Sequence, residues 1–376
     1  MFSDVIERYD WNEVGKEIYS KTKADVEKAL QAKHPHIEDF KALVSPAAET
    51  YIEEMARMSR ALTQKRFGKT MQLYIPLYLS NVCTNHCIYC GFNHNNDIKR
   101  IILTDEEILA EIKVVKQMGY EHILLLTGES PKEVGVDYIT HAMDLIRPYF
   151  KQLSLEVYPM SVEEYKVLIQ HGLHAVYIYQ ETYNRMNYTT YHPAGKKRDY
   201  TWRINTPDRL GQAEVHKIGL GALLGLEDWR VEAVYMAIHL RYLEKKYWKV
   251  KYSLAFPRIR PHVGGFSPNY IVNDKEFAQM IWAFRLFDQD LEMSLTTRES
   301  QHFRNHMVDL GITSMSAGSK TDPGGYALFK HELEQFAVND NRSPNDLMQM
   351  IQAQDYEVVW KDWDQCFEKE RRNYAR

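Results

Sequence analysis

Cysteine is scarce in this chain, with four in 376 residues. Four cannot supply the dense disulfide framework that stabilises small secreted scaffolds. No apolar run reaches the roughly 18 residues of a membrane span, so no membrane association is expected. The first twenty residues, MFSDVIERYDWNEVGKEIYS, are charged and lack the apolar stretch of a signal peptide. The expectation is a cytoplasmic protein whose thiols stay reduced. Positive charge is not in excess: 47 Lys and Arg face 51 Asp and Glu, for a formal net charge of −4. The two signs are mixed, without the basic stripe of a nucleic-acid footprint, so no nucleic-acid partner is expected. Low-complexity tracts are absent too.

Hydrophobic residues make up 44% of the chain, enough for a sizeable core. The length allows two domains, or one large barrel with extensions. Residues 1–68 read as helices: Leu30, Ile37, Phe40, Leu43 and Val44 recur near helical spacing, and a helix over 46–66 has Pro46 at its start and Gly68 beyond its end. Eight strand-like runs then follow, at 71–80, 122–129, 154–160, 175–182, 218–226, 252–260, 291–299 and 312–319. Helices are expected between them, at 105–118, 136–147, 161–171, 207–217, 228–248, 274–287 and 301–310. The strands are continuously apolar, as parallel strands covered on both faces are. This pattern predicts an α/β fold: a complete (β/α)8 TIM-type barrel over 69–320, an N-terminal helical segment over 1–68, and a C-terminal extension over 321–376. That extension is read as loop-rich, with a short helix at 344–353 and no further βα unit.

Three of the four cysteines lie within eight residues, Cys83-Thr-Asn-His-Cys87-Ile-Tyr-Cys90. Three thiolates can hold three corners of a [4Fe–4S] cluster and leave one iron open to a ligand. A structural zinc takes four ligands and would have to recruit His86 or His94. Active sites of TIM barrels form at the C-terminal strand ends. Here those ends carry the cysteines, Thr127-Gly128-Glu129, Glu156 and Tyr158, Gln180-Glu181-Thr182-Tyr183, Gly225 to Asp228, Arg258 and Arg260, Thr296 to Glu299, and Ser316 and Ser319. Burying so many polar groups is costly unless ligands or mutual pairing satisfy them. Arg298 can make a bidentate pair with a carboxylate. The loop His192-Pro-Ala-Gly-Lys-Lys-Arg198 is long and basic. It is either a solvated connection or a lid or docking surface hinged at Gly195. Cys366 is expected on an amphipathic helix as a structural thiol.

The C-x3-C-x-aromatic-C pattern, with Tyr89 before the third cysteine, resembles that of radical S-adenosylmethionine (SAM) enzymes. That resemblance implies SAM chelated to the open iron of a [4Fe–4S] cluster and split to methionine and a 5′-deoxyadenosyl radical. It implies cofactor contacts from Tyr89, Glu129, Gln180, Glu181, Gly225, Asp228, Arg258 and Arg260. The motifs LLTGE, YQETY, TPDRLGQA, KIGLGALLGL, FPRIRP, LTTRES and KTDPGGY narrow it to the family of the thiamine-biosynthesis tyrosine lyase, 2-iminoacetate synthase, over essentially the whole chain. The implied reaction cleaves the Cα–Cβ bond of L-tyrosine to dehydroglycine (2-iminoacetate) and p-cresol. The implied carboxylate anchors are Arg298 and Ser316. The implied partners are a reductant such as flavodoxin or ferredoxin, and the thiazole synthase subunit (ThiG). Phenol deprotonation calls for a base, with Glu181 and His262 as candidates. Related readings are a tryptophan lyase and the tyrosine lyase of hydrogenase maturation, which carries a second cluster on a C-terminal cysteine pair; only Cys366 follows Cys90 here. A non-catalytic iron–sulfur or zinc carrier is the alternative from another class.

Overall fold

A computed structural model describes residues 1–328 and 335–360 of the chain. Ten parallel strands form one sheet: β1 Thr70–Tyr74, β2 Pro76–Ser80, β3 His122–Thr127, β4 Gln152–Glu156, β5 Leu173–Tyr177, β6 Lys217–Gly221, β7 Lys251–Ala255, β8 Glu292–Leu295, β9 Ser314–Ser316 and β10 Glu357–Val359. Their order is β10-β1-β9-β8-β7-β6-β5-β4-β3-β2. Helices cover the outside, so the architecture is close to a TIM-type barrel. The segment expected as one strand over 71–80 is two. β1 pairs with β9 and β10, whereas β2 pairs with β3. The change of partner falls at Ile75, next to Pro76, which has no N–H to give to a ladder. The Ile75 carbonyl accepts from Leu124.

The expected helices form, and their ends follow local chemistry. Thr104, Ser161 and Asn273 each cap a helix and receive a reciprocal acid three residues on, at Glu107, Glu164 and Glu276. Each of these helices begins in the loop after a strand, which directs that loop back over the sheet. The strands end earlier than expected: β4 stops at Glu156 rather than 160, and β5 at Tyr177 rather than 182. The apolar run continues because Val157 and Tyr158 remain buried after β4 ends, and because the chain beyond β5 goes on bonding to β6, Ile178 N donating to the Gly219 carbonyl and Gln180 N to the Gly221 carbonyl. The C-terminal extension departs from expectation as well. Helix Pro344–Gln352 leads into β10, which pairs with β1 and adds an edge strand.

The N-terminal helices pack on the outer helices of the sheet. The Phe2 ring stacks on His239 with centroids 3.7 Å apart. The buried Asp208 carboxylate accepts from the Phe2 amide at 2.9 Å, the Tyr242 hydroxyl at 2.8 Å and Lys246 Nζ at 2.7 Å. Burial opposes its charge, but Lys246 and these donors hold Asp208 below the usual carboxylate range. Inside the sheet, Gly219 and Gly221 on β6 leave room for aromatic rings. A Cβ on Gly219 would lie 2.8 Å from Tyr177 Cε1, and one on Gly221 would lie 2.7 Å from Tyr179 Cδ1. Both tyrosines line an internal cavity as a result.

Candidate active site

Cys83, Cys87 and Cys90 follow β2 on one loop, all as free thiols. Arg100 staples that loop. Its guanidinium donates to the carbonyls of Asn81, Phe92, Asn93 and Asn96 at 2.7–3.2 Å. The turn after β3 lies against the same loop. Gly128 N donates to the Ser80 carbonyl, Thr84 N to the Glu129 carbonyl, and Asn85 Nδ2 to Glu129 Oε2 at 2.6 Å. A Cβ on Gly128 would fall 2.8 Å from the Val82 carbonyl carbon, so only glycine permits this approach.

The basic loop closes the other side. His86 N donates to the Ala194 carbonyl, Ile88 N to the Tyr191 carbonyl, and Lys197 N to Asn85 Oδ1. Gly195, at φ 91°, fits 2.7 Å (measured from an added Cβ) from Asn85 Cα. Tyr89 OH lies 2.6 Å from His192 Nε2, and the His192 Nδ1 side meets the Tyr188 carbonyl at 2.8 Å. Burial and nearby Lys197 keep this imidazole neutral, well below its ordinary pKa. Tyr89 therefore donates to it. Lys196 and Arg198 are exposed, but Lys197 turns inward. Its Nζ pairs with Glu181 Oε1 at 2.6 Å, and Arg203 Nη2 reaches the same oxygen at 3.5 Å.

The cavity inside the sheet measures about 150 Å³. Cys90, Tyr89, Glu156, Glu181, Arg260, Arg298 and Ser316 all border it. A larger groove of about 1,090 Å³ lies elsewhere, between residues such as Lys33, Arg66, Trp248 and Asp290. It carries no cysteine and none of the expected site residues, so the chemistry is assigned to the smaller cavity. Arg298 stacks 3.3 Å above the Phe336 ring centre, and its Nη1 donates to the Arg258 carbonyl at 3.4 Å. It pairs with no carboxylate among the described residues. Desolvation lowers its pKa, the direction expected of a buried cation. Ser316 Oγ accepts from Thr297 N at 3.0 Å.

Other expected site residues are engaged at the margins. Arg258 and Arg260 both bind Glu299 Oε2, and Arg258 also meets Asp274 at 2.8 Å. Asp228 caps Arg230 N at 2.9 Å and accepts from Tyr19 OH at 2.7 Å, outside the cavity lining. Gly225 sits at φ 116° in the turn before it. His262 faces the carbonyls of Arg260 and Ile88 rather than the cavity. Gln180 Nε2 and Arg260 Nε are buried without a partner. Cys366 lies outside the described residues.

Sequence reasoning missed the roof of the cavity. Gln335 accepts from Tyr78 OH at 2.8 Å and places Nε2 3.5 Å from Cys90 Sγ, while Phe336 supports Arg298. Nothing local in the sequence marks these two residues; Gln335 reaches Cys90 across 245 positions.

Comparison with known proteins decides the family. Residues 77–238 match the radical SAM superfamily, and residues 255–357 match the biotin and thiamin synthesis associated domain. The chain is 47% identical over 364 residues to the 2-iminoacetate synthase of Escherichia coli K12, covering 96% of this chain and 97% of that one. The chain belongs to the 2-iminoacetate synthase family. The enzyme of Salmonella typhimurium LT2 matches to the same extent. In structure, the hydrogenase maturase HydG aligns with a TM-score of 0.88 at 32% identity, over 93% of this chain and 80% of HydG.

Enzymes of the radical SAM superfamily use a [4Fe–4S] cluster and SAM. The donor set here fits that cluster. Three reduced cysteines stand on one loop, clamped by Gly128 on one side and Gly195 on the other. Among the described residues, no three His, Cys, Asp or Glu side chains converge as ligands of a single ion. Burial pushes the Cys87 thiol up to about 12 and also raises Cys83. Metal binding must therefore displace thiol protons. No helix among the described residues is long and apolar enough to cross a membrane.

Proposed function

We propose that this 2-iminoacetate synthase family member cleaves the Cα–Cβ bond of L-tyrosine to 2-iminoacetate and p-cresol, supplying the thiamine thiazole precursor. The observation that carries the reading is the cavity, which puts a cysteine of the C-x3-C-x2-C loop at one wall and, at another, an arginine with no carboxylate partner among the described residues. Cys83, Cys87 and Cys90 would hold a [4Fe–4S] cluster at the cysteine wall, and the cluster with SAM would supply radical chemistry there. The protein's own residues bind, orient and exclude water.

Arg298 takes the α-carboxylate in a bidentate pair, and Ser316 assists beside it. Glu129 and Tyr89 meet SAM from the cysteine-loop side, Gln180 and Arg260 through their orphaned N–H groups, and Glu181 from its pairing with Lys197 and Arg203. Gly225, Asp228 and Arg258 support the surrounding wall. The loop 192–198 is a lid, closed against the cysteines. We read the sheet as a complete (β/α)8 barrel closed at 70–80, whose two halves pair with β9 and β3. The 1–68 helices and the described residues of the extension, 321–328 and 335–360, pack against it. A flavodoxin- or ferredoxin-like reductant delivers the electron. The thiazole synthase subunit takes the labile product by docking.

Anaerobic reconstitution tests the reading. About four irons per chain should bind, and SAM cleavage should be stimulated by L-tyrosine over L-tryptophan. Cleavage driven by tryptophan instead would replace this reading with the tryptophan-lyase one.

A further inference from the structure

Among the described residues, the cavity holds one unmatched cation and one unmatched anion. The cation is Arg298. The anion is Glu156, the last residue of β4, which borders the cavity without a hydrogen-bond or ion-pair partner among the described residues. The other carboxylates on the lining are committed. Glu181 is held by Lys197 and Arg203, and Glu292 by Lys217 at 2.6 Å. Glu299, behind the wall, is held by Arg258 and Arg260. An unpaired carboxyl in such a place is costly unless a ligand completes it. A free amino acid is the complement of this pair, with a carboxylate at one end and an ammonium at the other.

Turning the α-amino group of L-tyrosine into the imine of 2-iminoacetate takes hydrogen off that nitrogen, and L-tyrosine arrives as an ammonium ion. We infer that Glu156 pairs with the α-ammonium of the substrate and accepts its proton, while Arg298 holds the α-carboxylate. This rests on the tyrosine-lyase reading. In the step, one N–H bond breaks and its electron pair stays on nitrogen. The proton forms an O–H bond on Glu156, and nothing is oxidised or reduced. The neutral amine is then ready to lose a hydrogen atom.

The charges around Glu156 favour the amine over the phenol as its partner. Burial and the neighbouring Glu181 push its carboxyl up to about 7, against the pull of Arg298, Lys197 and Arg203. The tyrosines that face it, Tyr74, Tyr78, Tyr177 and Tyr179, are all raised by burial and remain neutral. A phenol titrates near 10, so its proton would move to Glu156 against about a thousandfold equilibrium. An α-amino group titrates near 8 in a chain, a disadvantage of only about tenfold. A free carboxylate beside it raises that value, and pairing the carboxylate with Arg298 offsets the increase.

The experiment measures anaerobic binding to the reconstituted, SAM-loaded protein. Its ligands are L-tyrosine and 3-(4-hydroxyphenyl)propanoate, which keeps the phenol and carboxylate but lacks the amine. Glu156→Gln should weaken L-tyrosine ten- to a hundredfold and leave the propanoate within about twofold, and Glu156→Asp should recover most of the loss. The acid limb of p-cresol formation should move to higher pH in Glu156→Gln, since the amine must then lose its proton to solvent. Equal losses for both ligands, or an unchanged tyrosine affinity, would overturn the assignment. Should Glu156→Gln fail to fold, wild-type protein decides: it should bind L-tyrosine about tenfold or more tightly than the propanoate, and equal affinities would overturn the assignment. Wild-type protein that binds the propanoate but not L-tyrosine would overturn the inference, and one that binds neither would overturn the substrate reading beneath it.

Discussion

Arg298→Lys isolates the anchoring argument. The guanidinium is already in place before substrate arrives, stacked on Phe336 at 3.3 Å and tied to the Arg258 carbonyl at 3.4 Å. Little conformational freedom is left to lose on binding. It forms no ion pair with a carboxylate among the described residues, so its replacement should leave the fold intact. Lysine keeps the charge but loses the planar fork and the stacking. A hydrogen bond to a charged group contributes about 1.5–3 kcal/mol, which corresponds to roughly ten- to a hundredfold in affinity. The L-tyrosine Kd, measured by anaerobic calorimetry on the reconstituted protein, should rise by that factor. The SAM Kd, measured on the same sample, should stay within about twofold. A tyrosine affinity that does not move, or a SAM affinity that falls equally, would refute the assignment of Arg298 to the substrate carboxylate.

Two further outcomes follow from the geometry. Alanine at any one of Cys83, Cys87 or Cys90 should give soluble protein that retains its fold by circular dichroism but neither cleaves SAM nor shows a stable cluster spectrum, whereas Cys366→Ala should cleave SAM normally. Glu232, buried beneath the Thr182–Tyr183 backbone that follows Glu181, is pushed up to about 8 by burial from an ordinary 4.5, although Thr182 and the Tyr183 amide donate to it. The folded state therefore keeps a proton that the unfolded chain releases, so stability falls as pH rises between about 4.5 and about 8. Glu232→Gln should flatten that slope in denaturation curves taken at pH 5 and pH 8, and an unchanged slope would remove Glu232 from the account.

Much of the architecture was legible because helix caps and continuous apolar strands are local signals. The capping pairs Thr104–Glu107 and Asn273–Glu276 mark helix starts without tertiary information. Strand ends were less legible, because Val157 stays buried after β4 stops and the chain beyond β5 goes on bonding to β6 at Ile178 and Gln180. β10 could not be read at all. Its three residues pair with Thr70–Gln72, nearly three hundred positions away. In the site, the cysteines were marked by spacing, and Arg298 and Ser316 by standing at strand ends. Glu156 stood in the same ring of strand-end polar groups, but nothing in the sequence shows that the other carboxylates on the cavity wall would be paired with cations. Lys197 sat in a run of three basic residues, and only the fold turns the middle one inward. Arg100, Gln335 and Phe336 act through contacts that the chain makes when it returns to the cysteine loop.

The central claim is the reaction, and its products test it most directly. Reconstituted protein incubated anaerobically with SAM, a reductant and L-tyrosine should release 5′-deoxyadenosine, p-cresol and 2-iminoacetate in equal amounts, the last recovered as glyoxylate after hydrolysis. Chromatography of one quenched reaction reads all three. Stoichiometric carbon monoxide, or 3-methylindolic acid from L-tryptophan without p-cresol from L-tyrosine, would contradict the account.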